Sequence, residues 1–336
     1  MQENLEKVSV SPDISVYKIN GNSCLTRYIV STPETMAICN KQEIIGVKFT
    51  NKIKKAVEKT LNAIPEADAL RKIPDYENNV VCLLRGGLNF DVRDALSRAY
   101  GNNNHSTTFL ITRRSQENGT KKWIAKVQNY KEISLTRKVV FYLGDVIRSG
   151  KSLQKALATL EQVMLLEKKA YVEVRKFIVF TIGCKKAEEV LEEFDRRLRQ
   201  RFPDYEGTTL VYFEGRFNLV EDDSILLSEK NTDLIRKDCL LSPEFYLSQF
   251  DELHYPLERC VLYDGGSRAF DIFNFKEEIQ TYWTCLLQEA KKGYTLKQAL
   301  YDRFPAKLAK LTEDGSSEAL QKLCIDRLEA IQYHVR

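Results

Sequence analysis

From residue 79 the chain alternates short apolar runs with amphipathic stretches. "VVCLL" (80–84) predicts a buried strand, and "NFDVRDALSRAYG" predicts a helix with Phe90, Val92, Leu96 and Ala99 on its apolar side and Gly101 as its stop. "TTFLIT" (107–112) and "KVVFYLGD" (138–145) predict two more strands, separated by the polar and basic loop "RRSQENGTKKW". Residues 153–166 place Leu153, Ala156, Leu157, Leu160, Val163 and Met164 at helical spacing. "RKFIVFTIG" (175–183) is a fourth strand and "TLVYFEGRF" (209–217) a fifth. Between them "KKAEEVLEEFDRRLRQRF" is a helix through Ala187, Val190, Leu191, Phe194 and Leu198. Strands alternating with helices predict βαβ crossovers, hence an α/β fold with a mainly parallel, five-stranded, doubly wound sheet.

The flanks are less regular. "TNKIKKAVEKTLNAI" predicts a helix with Thr50 as N-cap and Ile53, Ala56, Val57, Leu61 and Ile64 on one face. Past residue 218, "VEDDSILLSEKNTD" reads as loop and short strand, and "RCVLYDGGSRAF" (259–270) as a strand running into a Gly-Gly turn. "EEIQTYWTCLLQEAKK" and "EALQKLCIDRLEAIQYHV" are helical. The expected organisation is an N-terminal extension over 1–78, an α/β core over 79–220 and a mixed, then largely helical, region over 221–336.

Composition narrows the class without naming a function. The chain has 336 residues, 43% hydrophobic and 29% charged, with only 15 glycines and 8 prolines, as expected of an ordinary globular protein. Net charge is +4, from 51 basic and 47 acidic residues, too balanced for a dedicated nucleic-acid binder. The 8 cysteines form no CxxC pair and the 3 histidines are scattered, so neither a zinc ribbon nor a His-based metal centre is suggested. The N-terminus lacks a signal-peptide core and no apolar run suits a membrane span, so the chain reads as cytoplasmic.

Two loops follow predicted strands at the edge where open α/β sheets bind ligands. The first is Arg85-Gly86-Gly87: its glycines let backbone N–H groups approach an anion, and arginine grips phosphate oxygens in pairs. The bland alternative is a tight turn with a surface arginine. The second is "YLGDVIRSGKSL" (142–153), where Asp145 ends the strand and Arg148, Ser149, Gly150, Lys151 and Ser152 lead into a helix whose dipole favours an anion. Here the bland alternative is Ser152 serving only as N-cap. The run is not a Walker A loop: five residues separate Gly144 from Gly150, where that pattern needs four.

Together these residues resemble the type I phosphoribosyltransferase family, as a divergent member. Its signature is a strand, two adjacent acids, two apolar residues, a Thr/Ser-Gly loop and a helix starting in Thr/Ser-Leu. "VVFYLGDVIRSGKSL" fits all of it except Gly144, which stands where the first acid belongs. The resemblance covers residues of about 79 to 217. It implies that Arg148 to Ser152 hold the 5-phosphate of phosphoribosyl pyrophosphate, that Asp145 is the catalytic-site acid contacting the ribose hydroxyls, and that Arg85 to Gly87 hold the pyrophosphate. It also implies a mobile basic loop carrying Arg113, Arg114, Lys121 and Lys122, and Mg2+ held mainly by the ligand, with no direct protein ligand.

On this reading the protein is an enzyme of nucleotide metabolism that moves a phosphoribosyl group to an unidentified base or nucleic-acid acceptor and releases pyrophosphate. The acceptor-selecting hood would lie in 1–75 or 218–336, and "YDGGSRAFDIF" (263–273) is its candidate base-facing element. The alternative is a non-catalytic sensor of phosphoribosyl pyrophosphate or a nucleotide. It would act through a protein or nucleic-acid partner of the C-terminal region, as in the bacterial stress and anti-phage systems that such proteins resemble. A P-loop kinase is a distant third. Acceptor and self-association are not legible in the residues.

Overall fold

Each of the five apolar runs becomes a strand that extends past its apolar centre, because neighbouring strands pair the flanking polar residues as well. The computed structural model describes residues 3–84, 86–116, 123–132, 136–166, 172–219, 234–259, 270–312 and 314–334. The predicted strands are β4 (Asn78–Leu84), β5 (Ser106–Gln116), β7 (Lys138–Ile147), β8 (Glu173–Cys184) and β9 (Thr208–Leu219).

The sheet is wider than the expected five strands. It also contains β1 (Asn4–Ser11), β2 (Ile14–Asn20), β3 (Thr26–Ser31), β6 (Trp123–Glu132) and β10 (Leu234–Leu241). The order is β1-β2-β3-β9-β8-β7-β4-β5-β6, with β10 on β9. From β3 to β5 every pairing is parallel; β1, β2, β6 and β10 pair antiparallel.

Helices cover both faces. On one, α2 (Gly46–Ala63) and α4 (Val92–Tyr100) pack their apolar stripes over Val80, Tyr142 and Val211. On the other, α5 (Lys151–Leu166) and α6 (Lys186–Arg201) cover Leu143, Val179 and Leu210. Gly101 takes φ 68° and ends α4, as its position predicts. Two short helices, α1 (Pro33–Asn40) and α3 (Ala67–Arg71), flank α2 in sequence.

The segment expected as an extension thus supplies three strands of the same sheet. Hydropathy hid β3 because its second residue is charged. Arg27 is buried, and its guanidinium meets Glu3 at 2.6 Å and Glu188 at 2.9 Å. Arg216 closes the square, at 2.5 Å from Glu3 and 3.0 Å from Glu188. A buried charge is tolerated only with such partners, and here they tie Glu3, just before β1, to β3, α6 and β9.

Two boundaries also differ. Thr50 is not an N-cap: α2 starts a turn earlier, at Gly46, because Phe49 is buried in the core, and Thr50 Oγ1 donates to the Val47 carbonyl at 3.2 Å. Arg113 and Arg114 lie in β5, paired with Lys126 and Ala125 of β6, so the described part of the expected loop is strand.

C-terminal to the sheet are α7 (Pro243–Ser248), α8 (Ile272–Lys291), α9 (Leu296–Arg303) and α10 (Ser317–His334). The last three enclose a separate core with Trp283, Phe275, Leu300 and Leu320, whereas Phe245 of α7 joins the core under α2 and α4. The separate core docks onto the residues before α2: Trp283 Nε1 donates to Gln42 at 3.3 Å, and Arg327 bridges Glu43 at 2.5 Å and Glu258 at 2.6 Å. The stretches 220–233 and 260–269, and with them most of the expected Gly-Gly turn and base-facing element, lie outside the described residues.

Candidate functional site

β4 and β7 are adjacent and parallel, so the loops that follow them emerge side by side. After β4 the chain forms a 3-10 turn, Gly86–Phe90, that folds back over β7. Gly87 passes close to β7: a Cβ would stand 3.3 Å from the Gly144 carbonyl oxygen, a tight contact, and 3.5 Å from the Cys82 backbone. Asp91, at φ 43°, then turns the chain into α4.

Gly144 answers to the same contact. A Cβ at this position would lie 2.6 to 2.8 Å from Cβ, Cγ and Cδ1 of Phe90, which is wholly buried. Side chains alternate across a strand, so position 144 shares the face of Tyr142 and looks into the core under the 3-10 turn. An acid has no room there. A glycine inside an apolar strand signals such a close approach.

Asp145 takes the opposite face, with Leu143 and Ile147 on the α5/α6 side, and is half-buried. It does not end the strand: β7 continues to Ile147, and Asp145 pairs in register with Thr181 of β8. The loop beyond is Arg148-Ser149-Gly150. Arg148 is 8% exposed, and its carbonyl accepts from Cys184 Sγ at 3.1 Å. Burial raises the Cys184 thiol above its usual range, so it is a structural donor here and a poor nucleophile.

Gly150 has φ 70°, and a Cβ there would meet Val190 Cγ2 of α6 at 2.9 Å. Only glycine makes that turn at that distance from α6. Its carbonyl accepts from Gln154 N at 2.8 Å, so Gly150 opens α5, while Ser152 lies inside the first turn and not at the N-cap as one reading had it. That first turn carries no acidic side chain. Ser149 and Lys151 are exposed and Ser152 is half-buried. The first N–H groups of a helix have no partner within it, so this end presents donors and a positive dipole.

The structure therefore brings Gly86, Gly87, Asp145 and the 148–152 loop to one edge of the sheet. Arg113 and Arg114 are on the β5 arm two strands from β7, and their side chains are outside what is described. Arg85, Lys121 and Lys122 also lie outside the described residues. Among those residues, no group of three His, Cys, Asp or Glu could hold a metal ion. Among them too, no helix is long and apolar enough to cross a membrane.

Two residues at this edge escaped the sequence. One is Phe90, which fills the space behind Gly144. The other is Glu214 on β9, wholly buried at φ 65°. Its carboxylate accepts from Ser31 Oγ at 2.7 Å, from Thr32 N at 3.1 Å, from Ser242 Oγ at 3.3 Å and from the Thr35 hydroxyl. It joins β9 to the start of α1 and the start of α7. Burial raises its pKa to about 7.

No protein-family model matches the chain, and no curated protein does. Among solved structures, the AQ2163 protein from Aquifex aeolicus is similar at 15% identity and TM-score 0.36, over 55% of this chain and 84% of that one. A hypoxanthine phosphoribosyltransferase from Staphylococcus aureus is similar at 18% identity and TM-score 0.26, over 39% of this chain and 64% of its own. A purine phosphoribosyltransferase from Pyrococcus horikoshii Ot3 is similar at 16% identity and TM-score 0.27, over 53% and 97%.

Proposed function

We propose that this protein binds phosphoribosyl pyrophosphate, or a nucleotide presenting the same ribose 5-phosphate, at the shared edge of β4 and β7. The observation that carries this reading is the Asp145–Ser152 segment: an acid on the strand, a glycine at φ 70° and an acid-free helix start. In this reading the N–H groups at the start of α5, with the Ser149 and Ser152 hydroxyls and Lys151, hold the 5-phosphate. Asp145 accepts from the ribose hydroxyls, and the Gly86-Gly87 backbone holds the pyrophosphate. Arg85, Arg113, Arg114, Lys121 and Lys122 supply positive charge around it.

In this reading Mg2+ arrives with the ligand, which supplies most of its oxygens, and Asp145 is the carboxylate beside it. Bound in this way it would neutralise the departing pyrophosphate. The reaction supported is transfer: the bond between ribose C1 and the pyrophosphate oxygen breaks, an acceptor atom bonds to C1, and pyrophosphate leaves with the electron pair. The chain's own contribution is positioning and charge stabilisation.

A second reading is favoured by Phe90. With its ring behind Gly144, the ribose loses one charged acceptor, worth about 1.5–3 kcal/mol. That suits a protein that holds the ligand as a signal as well as one that consumes it.

Calorimetry with Mg2+ and phosphoribosyl pyrophosphate tests the pocket. Asp145→Asn is expected to weaken binding about tenfold or more, and the exposed Lys151→Ala by a smaller factor with its unfolding midpoint unchanged. Undiminished binding in both variants removes the site assignment. Pyrophosphate release across free bases, nucleotides and single-stranded nucleic acid then separates transferase from sensor.

A further inference from the structure

The C-terminal region carries a second surface, whose case does not depend on the phosphoribosyl reading. α7, α9 and the 3-10 turn Pro305–Lys310 bring three rings together edge to face. Tyr246 and Phe304 have centroids 5.3 Å apart, Tyr246 and Phe250 5.6 Å, and Phe250 and Phe304 5.7 Å. Phe304 is buried and forms the floor. Above it Tyr246 is 40% exposed, Leu247 60% and Tyr301, one helical turn before Phe304, 58%.

Cations are interleaved with these rings. Lys310 Nζ stands 4.3 Å from the Phe250 ring centre and Lys307 Nζ 5.9 Å. Lys237 on β10 holds its Nζ 4.5 Å from the Tyr301 ring centre. Lys307 is fixed by the Gln249 and Glu252 carbonyls at 2.9 and 2.8 Å. Among the described residues Lys237 and Lys310 make no ion pair; their charges rest on aromatic faces and solvent.

Exposed tyrosines beside uncompensated lysines have one well-defined chemical complement. It is a chain that alternates flat aromatic groups with negative charges. We propose that this surface binds single-stranded nucleic acid, with bases stacking on Tyr246 and Tyr301 and backbone phosphates meeting Lys237 and Lys310. Stacking is sequence-tolerant because every base has a π face, and lysines follow the backbone whatever the sequence. A duplex hides those faces and would meet only the lysines. The rings also have the rigid floor that stacking needs, since Phe304 fixes Tyr246 from below.

Fluorescence anisotropy of the full chain with short labelled oligothymidine and oligouridine, over a salt series, tests this directly. Wild-type protein is expected to bind both, and to bind the corresponding duplex less tightly. Tyr246→Ala and Tyr301→Ala are each expected to weaken binding about tenfold. Lys310→Ala is expected to lower the slope of log affinity against log salt by about one. Tyr301 and Lys310 are at the surface, so circular dichroism and the unfolding midpoint of their variants should match wild type, and Tyr301→Ala should retain phosphoribosyl pyrophosphate binding. Absence of oligonucleotide binding at low salt overturns the proposal. So does binding that the tyrosine variants leave intact, or capture of anionic vesicles in place of oligonucleotides.

Discussion

Gly144→Asp, the substitution that completes the pair of adjacent acids, is expected to damage the protein instead of improving ligand binding. The new Cβ would start within 2.6 to 2.8 Å of three Phe90 atoms, and a buried carboxylate would follow it into a layer lined by Phe90 and Tyr142. Overpacking of this kind, with a charge facing apolar neighbours, costs about 3 kcal/mol or more. Urea unfolding should show that loss, and calorimetry should show weaker binding of phosphoribosyl pyrophosphate, because the 3-10 turn carrying Gly86 and Gly87 must shift to make room. Phe90→Ala opens the same space at a cost of its own, about 3–5 kcal/mol. The double variant should be less destabilised than the sum of the two, the sign of a direct clash relieved. A Gly144→Asp protein as stable as wild type, binding more tightly, would falsify this account of the glycine.

The second large effect belongs to Glu214. Glu214→Ala strands the donors of Ser31, Thr32, Thr35 and Ser242 in the interior, at about 1–3 kcal/mol for each that finds no new partner. Several kcal/mol of stability should go, and with it the joint between β9, α1 and α7. The same group predicts a pH dependence. Its pKa is raised from 4.5 to about 7 in the folded protein, so between these values the folded state holds a proton that the unfolded chain releases. The stability it contributes is complete below 4.5, falls as pH rises and is gone once pH has passed about 7.

Other buried groups overlap that window. Glu258, raised by burial to about 8, acts in the same direction. His254, lowered by burial to about 4, acts in the opposite one, adding stability as pH rises toward 6.5. The readout is therefore the difference from Glu214→Gln, which keeps the shape without the titration. Subtracting the variant's unfolding profile from the wild-type profile should leave a decline that ends near neutral pH. A flat difference would rule out the assignment.

What the sequence made legible was whatever is local. β4, β5, β7, β8 and β9 announce themselves because strands covered on both faces are continuous apolar runs. The 145–152 segment does so because strand, acid, small-residue loop and helix are consecutive. The strand β3 did not, because Arg27 reads as a surface residue until Glu3 and Glu188 are seen beside it. The reason for Gly144 was hidden for a related cause. Phe90 looked like part of a helix face, and nothing local says that the turn carrying it folds back onto β7. Glu214 was hidden most deeply, since its partners come from two distant parts of the chain, 31–35 and Ser242.

The position of β3 bears on how the protein is made. It lies inside the sheet, flanked by β2 and β9, yet Ser31 and the Glu214 that holds it are 183 residues apart in sequence. On a ribosome the hairpin of β2 and β3 emerges early and must keep one edge open until β9 has been synthesised. Closing so long a loop is entropically modest but slow to find, and an open edge in the meantime invites pairing with another chain. Nascent chains that stop short of β9 should therefore depend on holding factors, and a chain rearranged so that β9 directly precedes β1 would remove the wait.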